Sequence, residues 1–348
     1  MRGSQYGAFI YPVFTFIPAK EHNLPMPISE FNLIERYFAR TGRTRDDVVL
    51  GIGDDAALVR VPDGMELALA IDTLVAGVHF PVDTDAASLG HKALAVNLSD
   101  LAAMGAEPVW ATLALTLPEA NEQWLDDFSR GLFALADRYN VQLIGGDTTH
   151  GPLTITVQAH GFVPAGQALR RAGARPGDLI YVTGTLGDAG LALLALQEEV
   201  KLPLKDKTFV LDRLNRPEPR IVIGQQLRGI AHAAIDVSDG LAADLSHILD
   251  ASHVGATIQV ERLPLSPVLQ EYFHMIGGWI VPLASGDDYE LCITVPPDKQ
   301  AALELACAQH ACPCTWIGSI NARPGLHCLM DDGTEIGAPS GYQHFTAG

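Results

Sequence analysis

The sequence predicts an α+β protein that is divided into two domains, each with its own layers of helices and strands. The chain has 348 residues, which is more than a single small core requires. Helix-like and strand-like segments mix without the strict alternation of a doubly wound sheet. The segment GARPGD, residues 173–178, has the composition of a turn and precedes a new strand. We therefore predict a first domain over residues 29–168 and a second over residues 169–348.

The first domain is predicted to begin with a helix. Ser29 is a suitable N-cap, apolar residues follow at helical spacing, and Gly42 ends the helix. Residues 86–104 predict one alanine-rich helix, or two helices that meet near Asn97. The other predicted elements of this half are a helix over 123–139 and strands over 48–52, 66–75, 110–118, 141–146 and 153–163.

The second domain continues with a similar mixture of elements. Apolar and β-branched runs predict strands, and runs with helical periodicity predict helices. In chain order they are a strand over 179–184, a helix over 188–199, a strand over 233–237, a helix over 240–251, strands over 256–260 and 289–295, a helix near 298–310, and two terminal strands.

Residues 1–28 differ from the rest and are predicted to be a poorly ordered extension. Their apolar stretch YGAFIYPVFTFIP is interrupted by proline, and no small-residue cleavage site of a secretory signal follows it. The stretch is too short to span a bilayer, and no other segment approaches the necessary length. We therefore expect no membrane partner.

Composition excludes one class of partner and indicates a compartment. The formal net charge is −18, with 41 acidic residues against 23 basic ones, which argues against a nucleic-acid groove. The five cysteines all lie after residue 291, and their odd number and spacing are typical of reduced cytoplasmic thiols. Cys312 and Cys314 leave a zinc site open as an alternative, although C-x-C is not the usual spacing of zinc ligands.

Aspartates follow apolar runs or lie beside glycine at many points of the chain. We expect each to lie where a strand or helix meets a loop, and few have a basic residue close in sequence. A carboxylate at the end of a buried strand is costly unless it is paired or binds a cation, and hard oxygen ligands suit Mg²⁺. For any single motif, a turn or a helix N-cap is the simpler explanation. The residues concerned are Asp54, Asp55, Asp72, Asp100, Asp147, Asp236, Asp239, Asp287 and Asp288.

Two glycine-rich stretches bear on phosphate binding. IGGDTTHG, residues 144–151, offers backbone N–H groups and two threonine hydroxyls to phosphate oxygens. GTLGDAG, residues 184–190, follows a strand and opens a helix, but it is not a dinucleotide fingerprint, and tight strand–helix packing explains it equally well. Neither stretch has the G-K-[ST] ending of a P-loop. Any ATP site must therefore use a less common motif.

Seven strings follow one another along the chain: GIGDDAAL, DTLVAGVHF, KALAVNLSDLAAMGAEP, LIGGDTT, VTGTLGDAGLALL, IDVSDGL and GDDYELC. Taken together, they resemble the strings of the thiamine-monophosphate kinase family. That family belongs to an ATP-binding superfamily that includes aminoimidazole ribonucleotide synthetase and selenophosphate synthetase. The resemblance covers roughly residues 29–345, and it lies in the order and spacing of the strings more than in any one of them.

The resemblance implies two domains of the aminoimidazole ribonucleotide synthetase-like type and a homodimer in which first-domain strands pair across the two-fold axis. It implies that ATP and several Mg²⁺ ions serve a transfer of the γ-phosphoryl group to thiamine monophosphate. Asp100, Asp147 and Arg171 would carry this transfer. By the same resemblance, the Mg²⁺ ligands are Asp55, Asp72, Asp100, Asp147, Asp236 and Asp239; the ATP contacts are Gly146, Asp147, Arg171 and Ser238; and the substrate contacts are His79, Asp287 and Tyr342.

This chain departs from the family pattern at two points. The family usually has one or two hydroxyl residues before the aspartate of LAIDTL, where this chain has Ala70 and Ile71. One secondary metal site would therefore lose a side-chain ligand. The family commonly has Glu at the position of Asp287, so the carboxylate here reaches one methylene less.

The alternatives differ in what they require of the sequence. Selenophosphate synthetases generally need a reactive Cys or selenocysteine near the N-terminus, and this chain has no cysteine before Cys292. The related hydrogenase-maturation protein uses a C-terminal cysteine, whereas this chain ends in HFTAG. An aminoimidazole ribonucleotide synthetase-like enzyme is the first alternative. A non-catalytic nucleotide-binding protein is the second, although it would have no reason to retain all six aspartates that the resemblance assigns to metal.

Overall fold

The computed structural model describes residues 30–39 and 44–342. The predicted extension over residues 1–28, the N-cap at Ser29 and the helix end at Gly42 lie outside the described residues. The first described element is helix α1 (Glu30–Leu33), which widens into a π-helical turn over Ile34–Phe38.

The first domain contains a four-stranded sheet with helices on one face. Within residues 44–164 the strand order is β3–β6–β4–β5, antiparallel except for the parallel pair β4–β5. A short ladder of β1 and β2 covers part of the other face near Trp110 and Phe162. The bounds are β1 Val48–Leu50, β2 Leu58–Val59, β3 Met65–Val75, α2 Ala86–Ala103, β4 Glu107–Leu117, α3 Glu122–Arg138, β5 Gln142–His150 and β6 Thr154–Pro164.

Helix α2 is a single helix, without a break at Asn97, and it is central to both domains. Asp85 caps it by accepting a hydrogen bond from the Ser88 amide, and every residue of α2 except His91 and Asp100 is buried. A helix that is apolar on all sides must be enclosed on all sides. Here α2 lies on the first sheet and α3, and its other side contacts the second domain. The polar side chains that α2 carries are therefore placed between the two domains.

The second domain is built on a mixed sheet of order β13–β12–β9–β11–β7–β10–β8 within residues 179–336. Helix α7 packs on one face, and the other face joins the core that contains α2. The bounds are β7 Leu179–Thr183, α4 Asp188–Leu196, α5 Leu204–Asn215, α6 Ile221–Gln226, β8 Ala233–Asp236, α7 Leu241–Ser252, β9 Gly255–Gln259, α8 Pro267–Tyr272, α9 Ile280–Ala284, β10 Leu291–Val295, α10 Gln300–Gln309, β11 Cys314–Asn321, β12 Gly325–Leu329 and β13 Glu335–Ile336.

The two-domain α+β class is confirmed, but one expectation about the aspartates is wrong. Asp72 lies inside β3, Asp100 inside α2 and Asp147 inside β5, instead of at the ends of these elements. β5 continues through its two glycines because the Thr148 and Thr149 backbone pairs with β4. The predicted strand over 289–295 begins only at Leu291, since Tyr289 has a left-handed backbone with φ 51°.

Among the described residues, no helix is both long and apolar enough to cross a membrane.

Helices α2 and α3 cross so closely that their backbones are in direct contact. A Cβ atom on Gly90 would lie 2.0 Å from the Phe128 carbonyl oxygen, and one on Gly131 would lie 1.9 Å from that of Ala87. Two helices approach this closely only where neither has a side chain.

Replacing Gly90 with Ala is therefore expected to force α2 and α3 apart and to lower the free energy of unfolding by roughly 1–3 kcal/mol, the usual cost of overpacking. Chemical denaturation measures this loss. Gly64→Ala is a control for an added methyl group, because nothing lies within 4 Å of that position, although its φ of 79° adds local backbone strain. Equal stability of Gly90→Ala and the wild type would contradict the close crossing.

Candidate active site

A cavity of about 1600 Å³ lies between the two domains. Its walls come from β3 and the turn that follows it, from helices α2, α4, α5 and α7, from the β8–α7 connection, and from the segments 286–289 and 338–342. Eight of the residues predicted from the sequence line it. They are Asp72, His79, Asp100, Asp236, Ser238, Asp239, Asp287 and Tyr342.

Asp72, Asp100 and Asp236 form an acidic cluster in this cavity. The carboxyl groups of Asp72 and Asp100 lie close enough to shift each other's pKa, and the Ser99 hydroxyl donates a hydrogen bond to Asp236 at 2.8 Å. Burial, followed by the charges of Asp236 and Asp72, raises the pKa of Asp100 above its ordinary value. Burial also raises the pKa of Asp72 and of Asp236, and a neighbouring carboxylate adds to each shift. The three groups repel one another when ionised, so a bound cation would stabilise them.

The loop between β8 and α7 is held by a residue of α7 itself. Asp244 accepts hydrogen bonds from the backbone N–H groups of Ser238, Asp239 and Gly240 at 3.0–3.1 Å. Burial, followed by the charge of Asp236, raises the pKa of Asp244 to about 7, although these N–H groups favour its charged form. Asp244 thereby positions Ser238 and Asp239 at the cavity.

Asp287 is held at the cavity from both domains. Its amide donates to the Ser238 carbonyl oxygen at 2.9 Å, and its backbone has a left-handed φ of 66°. The Tyr289 hydroxyl donates to Asp287 Oδ1 at 2.9 Å. The ammonium nitrogen of Lys92, on α2 of the first domain, lies 3.1 Å from the same oxygen. The carboxylate that the resemblance assigns to substrate is therefore one half of an interdomain ion pair.

His79 and Tyr342 complete the predicted substrate contacts. His79 Nδ1 accepts a hydrogen bond from the Val75 amide at 3.0 Å, so its ring is oriented by the end of β3. The Tyr342 amide donates to the Asp239 carbonyl oxygen at 3.1 Å, which ties the end of the described chain to the β8–α7 loop.

The remaining four predicted residues do not line the cavity, and one of them interacts with the acidic cluster. The charge of Arg171 lowers the pKa of both Asp100 and Asp236, so this side chain lies close to the cluster. Gly146 and Asp147 lie on β5, three strands from β3, which corresponds to about 14 Å across the sheet. Asp55 lies on the exposed β1–β2 connection. Asp55, Gly146, Asp147 and Arg171 are not among the residues that line the cavity.

The acidic cluster fits a Mg²⁺ ion that binds together with its ligand. Within the described ranges, no group of three or more Asp, Glu, His or Cys side chains is arranged to hold a metal by itself. Mg²⁺ commonly takes only one or two carboxylates from a protein and completes its shell with water and phosphate oxygens. The mutually repelling oxygens of Asp72, Asp100 and Asp236 are suitable donors of this kind.

Sequence reasoning missed Lys92 and Asp244. Lys92 lies within the string KALAVNLSDLAAMGAEP, but its pairing with Asp287 depends on tertiary structure. Asp244 lies four residues after Gly240, in the first turn of α7. An aspartate at this spacing can accept hydrogen bonds from the backbone N–H groups of the loop that precedes its helix. That signal was available in the sequence.

Comparisons with known proteins define the class and then the family. Residues 53–163 match the family model described as AIR synthase related protein, N-terminal domain, and residues 175–330 match the corresponding C-terminal domain. Both domains are thus of the AIR synthase related class. The thiamine-monophosphate kinase of Escherichia coli K12 is 51% identical over 322 residues, which is 92% of this chain and 99% of the relative. The chain belongs to the thiamine-monophosphate kinase family.

Solved structures agree with this assignment. The crystal structure of thiamine-monophosphate kinase from Stenotrophomonas maltophilia K279a is 50% identical, with a TM-score of 0.80, and the match covers 87% of this chain and 97% of that one. AaThiL complexed with AMPPCP and TMP is 31% identical, with a TM-score of 0.71, and the match covers 94% and 100% of the two chains.

Proposed function

We propose that this chain transfers the γ-phosphoryl group of ATP to thiamine monophosphate, in a direct in-line reaction that requires Mg²⁺ and yields thiamine diphosphate and ADP. The observation that carries the proposal is the convergence of Asp72, Asp100 and Asp236 from both domains on one cavity. Membership of the thiamine-monophosphate kinase family supports the choice of substrates.

The reaction needs positioning and charge neutralisation more than it needs acid–base chemistry. The acceptor is a phosphate that is already anionic near neutral pH, so no general base has to remove a proton from it. The difficulty is the repulsion between this acceptor and the triphosphate. His79, Asp287 and Tyr342 would orient the thiamine phosphate. Arg171 and Ser238 would contact ATP, and Gly146 and Asp147 remain predicted contacts from the resemblance alone.

Asp72, Asp100 and Asp236 would hold Mg²⁺, with Asp239 beside them and with Asp55 and Asp147 as further predicted ligands. When bound, the metal neutralises charge on the phosphate oxygens. The side chains of Ala70 and Ile71 offer no oxygen ligand, so we expect no contribution from them.

We expect removal of Mg²⁺ with EDTA to lower the affinity for a non-hydrolysable ATP analogue at least about 10-fold, because the acidic cluster would then repel the bare triphosphate. Titration calorimetry measures the change. Adenosine is the matched control ligand, since it lacks the phosphates and should bind equally with and without EDTA. Unchanged affinity for the ATP analogue would contradict the metal-mediated contact.

The proposal includes a homodimer formed through the first-domain sheet. β3 is an edge strand that pairs only with β6 among the described strands, and it exposes apolar side chains. Leu69 and Ile71 are 58% and 61% exposed. An apolar edge of this kind favours aggregation unless another chain covers it.

A cytoplasmic location is also part of the proposal, and it is supported by five free cysteines in the described residues.

Leu69→Glu is expected to weaken the dimer by at least about 100-fold in dissociation constant, since it would bury a carboxylate at the interface. Analytical ultracentrifugation measures the change. Leu305→Glu is the matched control, because Leu305 is also 58% exposed but lies on α10 of the second domain. The same sedimentation of both variants as dimers would refute pairing through β3.

The proposed reaction is tested by incubating the purified chain with ATP, Mg²⁺ and thiamine monophosphate. We expect thiamine diphosphate and ADP in equal amounts. ATP binding without any diphosphate product would instead support a non-catalytic nucleotide-binding protein. ATP hydrolysis that depends on a different acceptor would support an aminoimidazole ribonucleotide synthetase-like enzyme.

A further inference from the structure

We propose that the ammonium group of Lys92 binds the phosphate of thiamine monophosphate, with Asp287 holding it in place. This inference rests on the proposed function and adds to it a substrate-binding residue that the sequence did not indicate. It is based on the burial of Lys92, on its place on α2, and on the charges around it.

Lys92 is a lysine in an unusual environment. Its side chain is only 2% exposed, although it lines the wall of the cavity. A buried ammonium is costly unless it is paired, and Asp287 Oδ1, at 3.1 Å, supplies the partner. An ammonium has three N–H donors, so an ion pair with one carboxylate oxygen leaves donors for a ligand. Among the described residues that line the cavity, Lys92 is the only lysine or arginine.

The position of Lys92 on α2 relates it to the acidic cluster. Lys92, Val96 and Asp100 recur every four residues, and all three line the cavity. This spacing places them along one side of the helix, with Lys92 and Asp100 about 12 Å apart along its axis. The two ends of this row therefore carry opposite charges. The Asp100 end suits metal-bound triphosphate, and the Lys92 end suits an anion that approaches without a metal.

The substrate also carries charges of both signs. Thiamine monophosphate has a positively charged thiazolium ring and a negatively charged phosphate. The same cavity wall carries several carboxylates, which repel that phosphate when they are ionised. Asp287 keeps the ammonium in place, and its own side chain, 26% exposed, stays accessible to the thiazolium. The Lys92–Asp287 pair thus offers one charge to each end of the substrate.

A simpler role for Lys92 is to neutralise Asp287, and a double-mutant cycle separates the two roles. Lys92→Met keeps most of the length of the side chain and removes its charge. Asp287→Asn removes the charge that Lys92 would otherwise neutralise. If Lys92 only neutralises Asp287, the Lys92→Met change has no effect in the Asp287→Asn background. If Lys92 binds the phosphate, the change weakens substrate binding in both backgrounds.

We expect Lys92→Met to raise KM for thiamine monophosphate about 10- to 100-fold, in the wild type and in Asp287→Asn alike, as the loss of a charged hydrogen bond does. KM for ATP should change less than about 3-fold. Lys205→Met is the matched control on α5, because Lys205 is exposed and does not line the cavity. If the single variant is unfolded by circular dichroism, the double variant is compared directly with Asp287→Asn.

Equal KM values for thiamine monophosphate in Asp287→Asn and in the double variant would overturn the inference, as would a parallel rise in both KM values. In either case a wild-type chain that forms thiamine diphosphate leaves the proposed function intact. Absence of turnover in the wild type would instead refute the proposed function, on which the inference rests.

Discussion

Replacing Asp100 with Asn is expected to reduce phosphoryl transfer by about 10³-fold or more while leaving the fold intact. The change conserves volume and removes one charge from the acidic cluster, where electrostatic stabilisation of the transferring group is concentrated. Losses of this order follow when one electrostatic contact to a transition state is removed. A coupled assay for ADP formation in the presence of thiamine monophosphate and Mg²⁺ measures the rate.

The same substitution should not lower the free energy of unfolding of the metal-free protein. Asp100 is half-buried beside Asp236 and Asp72, and their charges oppose its ionisation. Removing that repulsion leaves the stability equal or higher. Asp137→Asn is the matched control, because Asp137 is exposed on α3, away from the cavity. Normal turnover by Asp100→Asn would remove the central assignment of the site.

Replacing Glu290 with Gln is expected to lower the free energy of unfolding by about 3–5 kcal/mol, the usual cost of removing one partner from a buried ion pair. Glu290 is fully buried. Arg220 binds both of its oxygens, at 2.5 and 2.6 Å, and Arg213 donates to it at 3.0 Å. The substitution would leave two arginines without their shared carboxylate. Urea denaturation at neutral pH measures the loss.

The dependence of this loss on pH follows from the direction of the pKa shift. Burial opposes the ionisation of Glu290, but the hydrogen bonds and charges of Arg220 and Arg213 outweigh it and hold its pKa below the ordinary value. The stabilisation is therefore complete above the unfolded-state pKa of about 4.3 and is lost as pH falls through the folded-state pKa. The gap between wild type and Glu290→Gln should narrow in acid.

A matched substitution in an exposed pair shows whether burial is the cause. Glu335 pairs with His327 and Arg323 at the surface, and Glu335→Gln should change stability much less. Comparable losses in Glu290→Gln and Glu335→Gln would contradict the role assigned to the buried network.

The sequence predicted much of the fold because its local patterns agree with the tertiary structure. The alanine-rich pattern of residues 86–104 became α2, and the runs before Asp72 and Asp236 became β3 and β8. Helices α5, α6, α8 and α9 were not predicted. Of these, α6 and α8 are only six residues long and α9 only five, and such short segments give a weak periodic signal.

The candidate site was predicted in part, for a physical reason. Asp72, Asp100 and Asp236 could be recognised from the sequence because each is a carboxylate within or beside an apolar run, and this pattern is local in the chain. The roles of Lys92 and Glu290 depend on partners that are distant in the chain, and no local pattern contains them. Asp72 is inside its strand and still reaches the cavity, where its carboxyl group lies near that of Asp100 on α2. The metal roles of all six aspartates stay predictions.

Helix α2 also couples the unfolding of the two domains. Its apolar surface is shared between the two halves, and the core around it includes Ala234, Leu291 and Ile293 of the second sheet. Neither half would bury this surface as an isolated fragment. We therefore expect the described chain to melt in one cooperative transition, and expression of either half alone to give an aggregating product.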